Sequence, residues 1–89
     1  MPVTIRTEET PNPNARRFVL DRPVQEQSRG RFFKTADEAD EPLAKTLLGI
    51  EGTDSVMFLP NSVTVNKSAS GAWETLEKAV SQALHEYFD

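Results

Sequence analysis

The chain has 89 residues, of which ten are lysine or arginine and fourteen are aspartate or glutamate, so its formal net charge is −4 at pH 7. It contains no cysteine and one histidine, which excludes disulfides, thiolate metal sites and cysteine nucleophiles and disfavours a histidine-based metal site. A chain of this length predicts a single domain over residues 1–89, and its acidic balance argues against a general nucleic-acid binder.

The first strand is predicted at residues 3–7, where apolar and polar side chains alternate and several are β-branched. Two prolines and two asparagines in segment 10–14 then predict an ordered turn. Proline fixes its own φ, and asparagine bonds back to the local backbone. Alternation returns over residues 16–20, which predicts a second strand with Phe18 and Leu20 on one face.

The middle of the chain predicts a loop, a short strand and a helix. Residues 21–31 are polar and contain a proline and a glycine, and residues 31–34 can add a short third strand. The spacing of a hydroxyl residue and a glutamate in segment 35–38 matches a capping box. A helix is predicted over residues 41–48, ended by Gly49 as a left-handed residue.

The last third predicts a hairpin followed by an amphipathic helix. Residues 54–59 and 63–67 alternate on either side of a short Pro-Asn break, and Ser70 is the predicted N-cap of the final helix. Helical spacing predicts that Trp73 is buried against the sheet and that its replacement by alanine costs roughly 3–5 kcal/mol. The predicted apolar stripe of this helix comprises Trp73, Leu76, Val80, Leu84 and Tyr87.

The element order β-β-(β)-α-β-β-α lacks strict strand–helix alternation, so a parallel sheet is disfavoured. The predicted fold class is α+β, with a mostly antiparallel sheet covered on one face by two helices. No stretch approaches the ~18 apolar residues of a membrane span, and the N-terminal residues form no signal-peptide core. A cytoplasmic location is therefore predicted.

The charge is unevenly distributed along the chain. Residues 1–35 carry seven basic and four acidic side chains, whereas residues 36–89 carry three basic and ten acidic ones. All six arginines lie within the first 31 residues. Such a distribution can give a small domain two differently charged faces, and ordinary solvated surface charge is the other interpretation.

None of the residue patterns predicts a catalytic or metal-ligating residue. His85 lies on the polar side of the last predicted helix, a poor position for a general base. The acidic run 37–41 lacks the glycine and the spacing of a calcium loop, and it complements the positive end of a helix dipole. Segment 29–33 resembles part of an RNA-recognition motif but has no second aromatic segment. A small enzyme or metal site using carboxylates, and a weak nucleic-acid-binding module, are the alternative functions.

Segment 10–18, Thr-Pro-Asn-Pro-Asn-Ala-Arg-Arg-Phe, is the least generic part of the sequence. One interpretation is a rigid corner that joins two strands. The other is an exposed polar corner whose neighbouring arginines suit an acidic partner protein. The candidate partner-binding residues are Asn12, Asn14, Arg16, Arg17, Arg29 and Arg31.

The chain resembles the N-terminal domain of the Nfu (NifU-like) iron–sulfur cluster scaffold proteins over about residues 3–88. Thr53, Ser62 and Leu48 depart from the family pattern, all at packing positions. The likeness is carried by Thr10-Pro11-Asn12-Pro13-Asn14-Ala15, Phe18, Phe33, Ala36-Asp37-Glu38-Ala39, Pro42-Leu43-Ala44, Leu47, Gly49-Ile50-Glu51-Gly52, Val56-Met57-Phe58, Val63-Thr64-Val65, Lys67 and Trp73.

The resemblance implies a non-catalytic accessory or protein-interaction role in iron–sulfur cluster assembly or delivery. Full Nfu proteins have a second domain whose Cys-x-x-Cys pair binds the cluster, so this sequence looks like either a stand-alone member or an excised domain. This domain is expected to bind no cluster directly and to contact one only through a partner protein or through that second domain. The expected partners are cluster-assembly or recipient proteins, without nucleic acid or membrane, and the domain is expected to be a monomer.

Overall fold

The computed structural model describes residues 3–24, 29–34, 41–69 and 71–88 of the chain. The elements of this part are β1 (Ile5–Glu9), β2 (Ala15–Leu20), β3 (Arg31–Phe33), α1 (Pro42–Leu48), β4 (Thr53–Leu59), β5 (Ser62–Lys67) and α2 (Trp73–Phe88). The five strands form one sheet in the order β1-β2-β5-β4-β3, with every neighbouring pair antiparallel. The predicted α+β class and element order, including the short third strand, are confirmed.

The core lies between the sheet and the two helices. Phe18 pairs across the sheet with Val63, and Val63 with Phe58, and all three are at most 1% exposed. Because alternate residues of a strand point to opposite faces, this register places one apolar row of β2, β5 and β4 on the helix side. Leu47 of α1 and Leu84 of α2 belong to the same buried cluster. The predicted shared face of Phe18 and Leu20 in β2 and the predicted alternation in β4 and β5 are confirmed.

The end of α1 differs from the prediction. Gly49 has φ −76° and ψ −11°, so it is right-handed, and its N–H still bonds to the carbonyl of Lys45. The N–H of Ile50 bonds back to Leu47, so one more right-handed turn closes the helix. The positive φ of 99° falls instead on Gly52, in the turn into β4. The predicted left-handed residue is therefore three positions later in the chain.

Helix α2 buries a shorter stripe than the sequence predicts. Leu76, Val80 and Leu84 are at most 1% exposed, whereas Tyr87 is 49% exposed. Trp73 packs against the edge of the core but is only partly buried, so its predicted burial against the sheet is confirmed only in part. The ring lies against the turn that precedes β2, where its indole N–H has a carbonyl partner. The predicted N-cap Ser70 and the capping box 35–38 lie outside the described residues.

Arg22 ties the loop after β2 to the C-terminal end of α2. Its Nη1 donates to the carbonyl oxygen of Phe88 at 3.0 Å, and its Nε donates to Asp21 Oδ1 at 3.1 Å. A cation at this position complements the negative end of the helix dipole. The Arg22 hydrogen bond, and then one from the backbone N–H of Thr4, hold the pKa of Asp21 below its ordinary value.

We expect the pKa of Asp21 to be lowered, and we expect this lowering to depend on Arg22. A lowered carboxyl pKa adds stability above the ordinary aspartate pKa of about 3.9, and this is lost as the pH falls through the lowered value. NMR titration of the Asp21 carboxyl should show the low pKa, and Arg22→Gln should return it towards the ordinary value. Arg6→Gln, which removes an exposed arginine elsewhere on the sheet, is the matched control. An unchanged Asp21 pKa in Arg22→Gln would contradict the assignment.

Candidate functional site

The turn between β1 and β2, residues 10–14, is held by its own side chains. The Thr10 hydroxyl accepts the N–H of Asn12 at 3.2 Å and lies within 3.0 Å of the carbonyl oxygens of Asn12 and Ala15. Asn12 Oδ1 accepts the N–H of Asn14 at 2.9 Å, and the Asn12 carbonyl accepts the N–H of Ala15 at 3.0 Å. These local bonds are those expected of threonine and asparagine in tight turns. The turn is therefore a fixed shape, as the sequence predicts.

Two further hydrogen bonds fasten this turn to the rest of the domain. The N–H of Lys67, the last residue of β5, donates to the Asn14 carbonyl at 2.8 Å. The indole Nε1–H of Trp73, the first residue of α2, donates to the Pro13 carbonyl at 3.1 Å. The turn thus joins the end of the central hairpin to the start of the long helix. We call residues 10–14 together with Arg16 and Trp73 the corner.

Arg16 sits between the turn and α2 and is already engaged. It points to the helix side of the sheet, where its Nη1 donates to Glu77 Oε2. Its guanidinium lies over the Trp73 ring, 4.8 Å from the centroid, in cation–π geometry. Its Nε is buried without a hydrogen-bond partner among the described residues. Arg16 therefore positions Trp73 and Glu77 and does not present a free positive charge.

The outer surface of the corner is open to solvent. Pro11, Asn12, Pro13 and Asn14 are all exposed. A shallow groove lined by the turn and a second one along the first turns of α2 meet at Arg16. Since the backbone N–H groups of the turn are mostly used internally, the surface offers proline rings and asparagine side chains to a partner.

The structure does not bring the six predicted partner-binding residues together. Asn12, Asn14 and Arg16 share the corner, but Arg17 points to the opposite face of the sheet, paired at 3.9 Å with Glu8. Arg31 lies on β3, three strand spacings or about 14 Å from β2.

At that far edge of the sheet Arg31 is held by its own neighbours. Arg31 Nη2 donates to Glu41 Oε1 at 2.7 Å, and its guanidinium lies 5.4 Å from the Phe33 ring centroid. Arg29 is exposed just before β3. Arg29 and Arg31 therefore do not share the corner with the other candidate residues. The proposed role of these residues in partner binding stays a prediction.

Sequence reasoning missed the role of Trp73 in the corner and that of Glu77 beside it. Helical spacing predicts only a core position for Trp73, and no sequence pattern predicts a role for Glu77. The two are four residues apart and so lie on one side of α2, which is the available sequence signal. That spacing indicates neighbours on a helix, but it does not indicate which strand residue meets them. Arg16, which lies 61 positions before Glu77 in the chain, makes that contact.

Within the described ranges, no three histidine, aspartate or glutamate side chains form a group that could hold a metal ion. Most of the acidic run 37–41 lies outside those ranges. Its last residue, Glu41, precedes α1 without a side-chain capping bond and instead accepts from Arg31. The side chain of His85 is partly exposed on α2.

Comparison with known proteins decides the family. Residues 5–89 match the family described as scaffold protein Nfu/NifU N terminal. This chain is a member of the Nfu N-terminal family. The resemblance inferred from the corner, the helix α1 segment and the Val-Thr-Val strand is confirmed.

The similar curated proteins are much longer than this Nfu N-terminal domain. The human mitochondrial NFU1 iron–sulfur cluster scaffold homolog is 35% identical over 85 residues, covering 94% of this chain and 34% of that protein. NifU-like protein 4, mitochondrial, of Arabidopsis thaliana is 32% identical, covering 94% of this chain and 30% of that protein. The chain thus spans about a third of the length of these relatives.

Solved structures show the same fold. A NifU-like protein from Saccharomyces cerevisiae superposes with a TM-score of 0.82 at 25% identity, covering 96% of this chain and 77% of that one. A Staphylococcus aureus protein also gives a TM-score of 0.82, at 24% identity, covering 94% and 99% of the two chains. No helix in the described ranges is long and apolar enough to cross a membrane. Because the curated relatives are named as mitochondrial, the cytoplasmic location stays a prediction.

Proposed function

We propose that this Nfu N-terminal domain is a non-catalytic protein-interaction domain in iron–sulfur cluster assembly or delivery. The observation that carries the proposal is the family match over residues 5–89 in a chain that contains no cysteine. Cysteine thiolates are the usual ligands of iron–sulfur clusters. The domain therefore acts on clusters through other proteins or through a second domain, and contributes contacts in place of ligands.

The corner is the contact surface that we propose for this role. Its exposed residues lie on a turn that internal hydrogen bonds and the Trp73 contact hold in one shape. A preformed surface loses little conformational entropy when a partner binds. Tryptophan and arginine, which meet beneath this turn, are the residue types enriched among energetically dominant interface residues.

Asn14→Glu is the variant that tests the corner without disturbing its support. The Asn14 side chain is exposed and makes no hydrogen bond within the described residues, since the turn uses only its backbone. Arg16→Glu is less suitable because it would place a carboxylate beside Glu77 and remove the contact with Trp73. Asn61→Glu is the matched control, because Asn61 is also exposed and lies in the β4–β5 turn.

The measurement is affinity capture with the tagged domain from cell extract, with bound proteins identified by mass spectrometry. We expect the wild-type domain and Asn61→Glu to enrich identified cluster-assembly or recipient proteins. Asn14→Glu should reduce that enrichment by about fivefold or more, as for the loss of a central contact residue. Equal enrichment by Asn14→Glu would disprove the corner as the contact surface. Failure of all three to enrich any iron–sulfur protein would disprove the function itself.

A further inference from the structure

The face of the sheet turned away from the helices carries a contiguous apolar surface at its β3–β4 edge. Phe32 is 57% exposed and pairs in register with Met57. A Cβ atom placed on Gly30 would lie 3.3 Å from Leu59 Cδ2 and 3.6 Å from Met57 Sδ. The side chains of Met57 and Leu59 therefore extend sideways over the backbone before β3, on the same face as Phe32.

This apolar surface continues towards the middle of the sheet. Leu59 pairs with Ser62, and Ser62 pairs with Val19 of β2, so the three side chains form one row. Ser62 is only 7% exposed although it lies on the face away from the helices, so this row presents little polar surface between Leu59 and Val19. We call Phe32, Met57, Leu59 and Val19 the apolar patch.

Positive charge borders the apolar patch on its β1–β2 side. Arg17 and Arg6 point to this face with side-chain exposures of 47% and 70%, and both lie beside the single acid Glu8, at 3.9 and 3.0 Å. The residues of β4 and β5 that share the face are uncharged: Ser55, Met57, Leu59, Ser62, Thr64 and Asn66. Among the described strand residues, this face therefore has one positive charge more than it can neutralise.

We infer that this face docks an amphipathic segment of a partner protein. Its apolar side chains would cover the apolar patch, and its carboxylates would pair with Arg17 and Arg6. Phe32 is exposed, and Met57, Leu59 and Val19 are partly exposed. Aromatic, methionine and arginine side chains are the types enriched in protein interfaces. The charge surplus selects acidic segments over basic ones. This surface is separate from the corner, because Arg16 and Arg17 project to opposite faces of β2.

Other occupants fit the face less well. Stacking of single-stranded RNA on a sheet uses two or three aromatic side chains, and the described strands place one, Phe32, on this face. Adsorption to anionic membranes typically uses clusters of about four to eight basic residues, and the described strands place two on this face, Arg6 and Arg17. A second copy of the chain docked face to face would bring the same positive surplus, with Glu8 as the one carboxylate among its strand residues there.

A designed 18-residue helical peptide tests the inference directly. It carries leucine at positions spaced i, i+3, i+4 and i+7 with glutamate on either side, and its partner peptide has lysine in place of every glutamate. Binding to the full chain is followed by ¹⁵N–¹H NMR titration up to about 1 mM peptide, the weak end of specific binding. We expect the glutamate peptide to shift amide signals of β2, β3 and β4 and the lysine peptide to bind at least about tenfold more weakly.

Matched variants assign the binding to this face. Phe32→Ser and Arg17→Glu should each weaken binding of the glutamate peptide by about fivefold or more. Tyr87→Ser and Lys45→Glu, which change another exposed aromatic and another exposed cation on the helices, should leave it unchanged. Asn14→Glu should also bind the glutamate peptide normally, because Asn14 lies in the corner and not on this face. The result therefore distinguishes this surface from the corner.

Several outcomes would overturn the inference. These are the absence of binding at the highest peptide concentration, equal binding of the lysine peptide, and shifts located on α1 and α2. Unaltered affinity in both Phe32→Ser and Arg17→Glu would do the same. Self-association of the peptide-free domain that is lost in Phe32→Ser would assign the face to a second copy of the chain, and would also disprove the predicted monomer.

Discussion

Replacing Phe18 with alanine is expected to lower the free energy of unfolding by about 3–5 kcal/mol. Phe18 is 0% exposed and lies in the central row of the sheet beside Val63, which is equally buried. Removing the ring loses its transfer free energy and leaves a cavity that the paired strands cannot close. For a domain of this size this is a large part of a total stability of about 4–13 kcal/mol.

Trp73→Ala should cost less than Phe18→Ala, although tryptophan is the larger residue. Trp73 is partly exposed, so its removal loses only part of its apolar contact, the hydrogen bond to Pro13 and the stacking of Arg16. We expect a loss of about 2 kcal/mol from these contributions together. Helical spacing alone predicts roughly 3–5 kcal/mol, because spacing indicates burial without indicating where the sheet ends.

Urea unfolding of the two variants, analysed with a common m-value, measures the difference. If Phe18→Ala does not fold, Phe18→Leu should still cost about 1 kcal/mol and keeps the site testable. Because Trp73 supports the corner, Trp73→Ala should also change the amide signals of residues 12–16 in NMR spectra. A larger loss of stability in Trp73→Ala than in Phe18→Ala would contradict the burial described for both residues.

The faces of the strands could be predicted from the sequence because they depend on local alternation. Val56 with Phe58, and Val63 with Val65, are spaced two apart, and each pair lies buried on the helix side as expected. The same alternation correctly places Arg17 on the face of β2 opposite to Phe18. Period-two patterns report orientation within a strand, and orientation is fixed when one face is buried.

The neighbours of each strand could not be predicted in the same way. Arg16 and Arg31 both belong to the basic first third of the chain, yet β5 and β4 lie between their strands. That order depends on the pairing of β2 with β5, which joins residues more than 40 positions apart. A single sequence gives no local signal for such a contact. The candidate residues therefore divide among the corner, the opposite face of β2 and the β3 edge of the sheet.

The glycine that adopts a positive φ could not be predicted from local sequence either. The sequence assigned the special backbone conformation to Gly49, but the turn that requires it is formed by Gly52. Gly52 also meets Gly71, which precedes α2, across a contact between backbones. A contact of this kind depends on the approach of two distant segments and has no signature in either segment alone.

Replacing Gly71 with alanine is therefore expected to cost about 1–3 kcal/mol, the usual range for an overpacked site. The new Cβ would lie 2.9 Å from the carbonyl oxygen of Gly52 and 3.3 Å from its Cα. That oxygen accepts the N–H of Ser68 at 2.7 Å, so relief of the clash would disturb the bond that joins the end of β5 to the start of β4. Both atoms belong to the backbone, and no side chain can move aside to make room.

Gly49→Ala is the matched control for this substitution. Its Cβ would meet carbonyl oxygens no closer than 3.4 Å, and its φ of −76° suits alanine. Since alanine also restricts the unfolded chain, this variant should be neutral or up to about 1 kcal/mol more stable. Thermal or urea unfolding of both variants distinguishes the two effects. Equal stability of Gly71→Ala and Gly49→Ala would show that the Gly52–Gly71 approach is not tight, and that the start of α2 is free to move relative to β4.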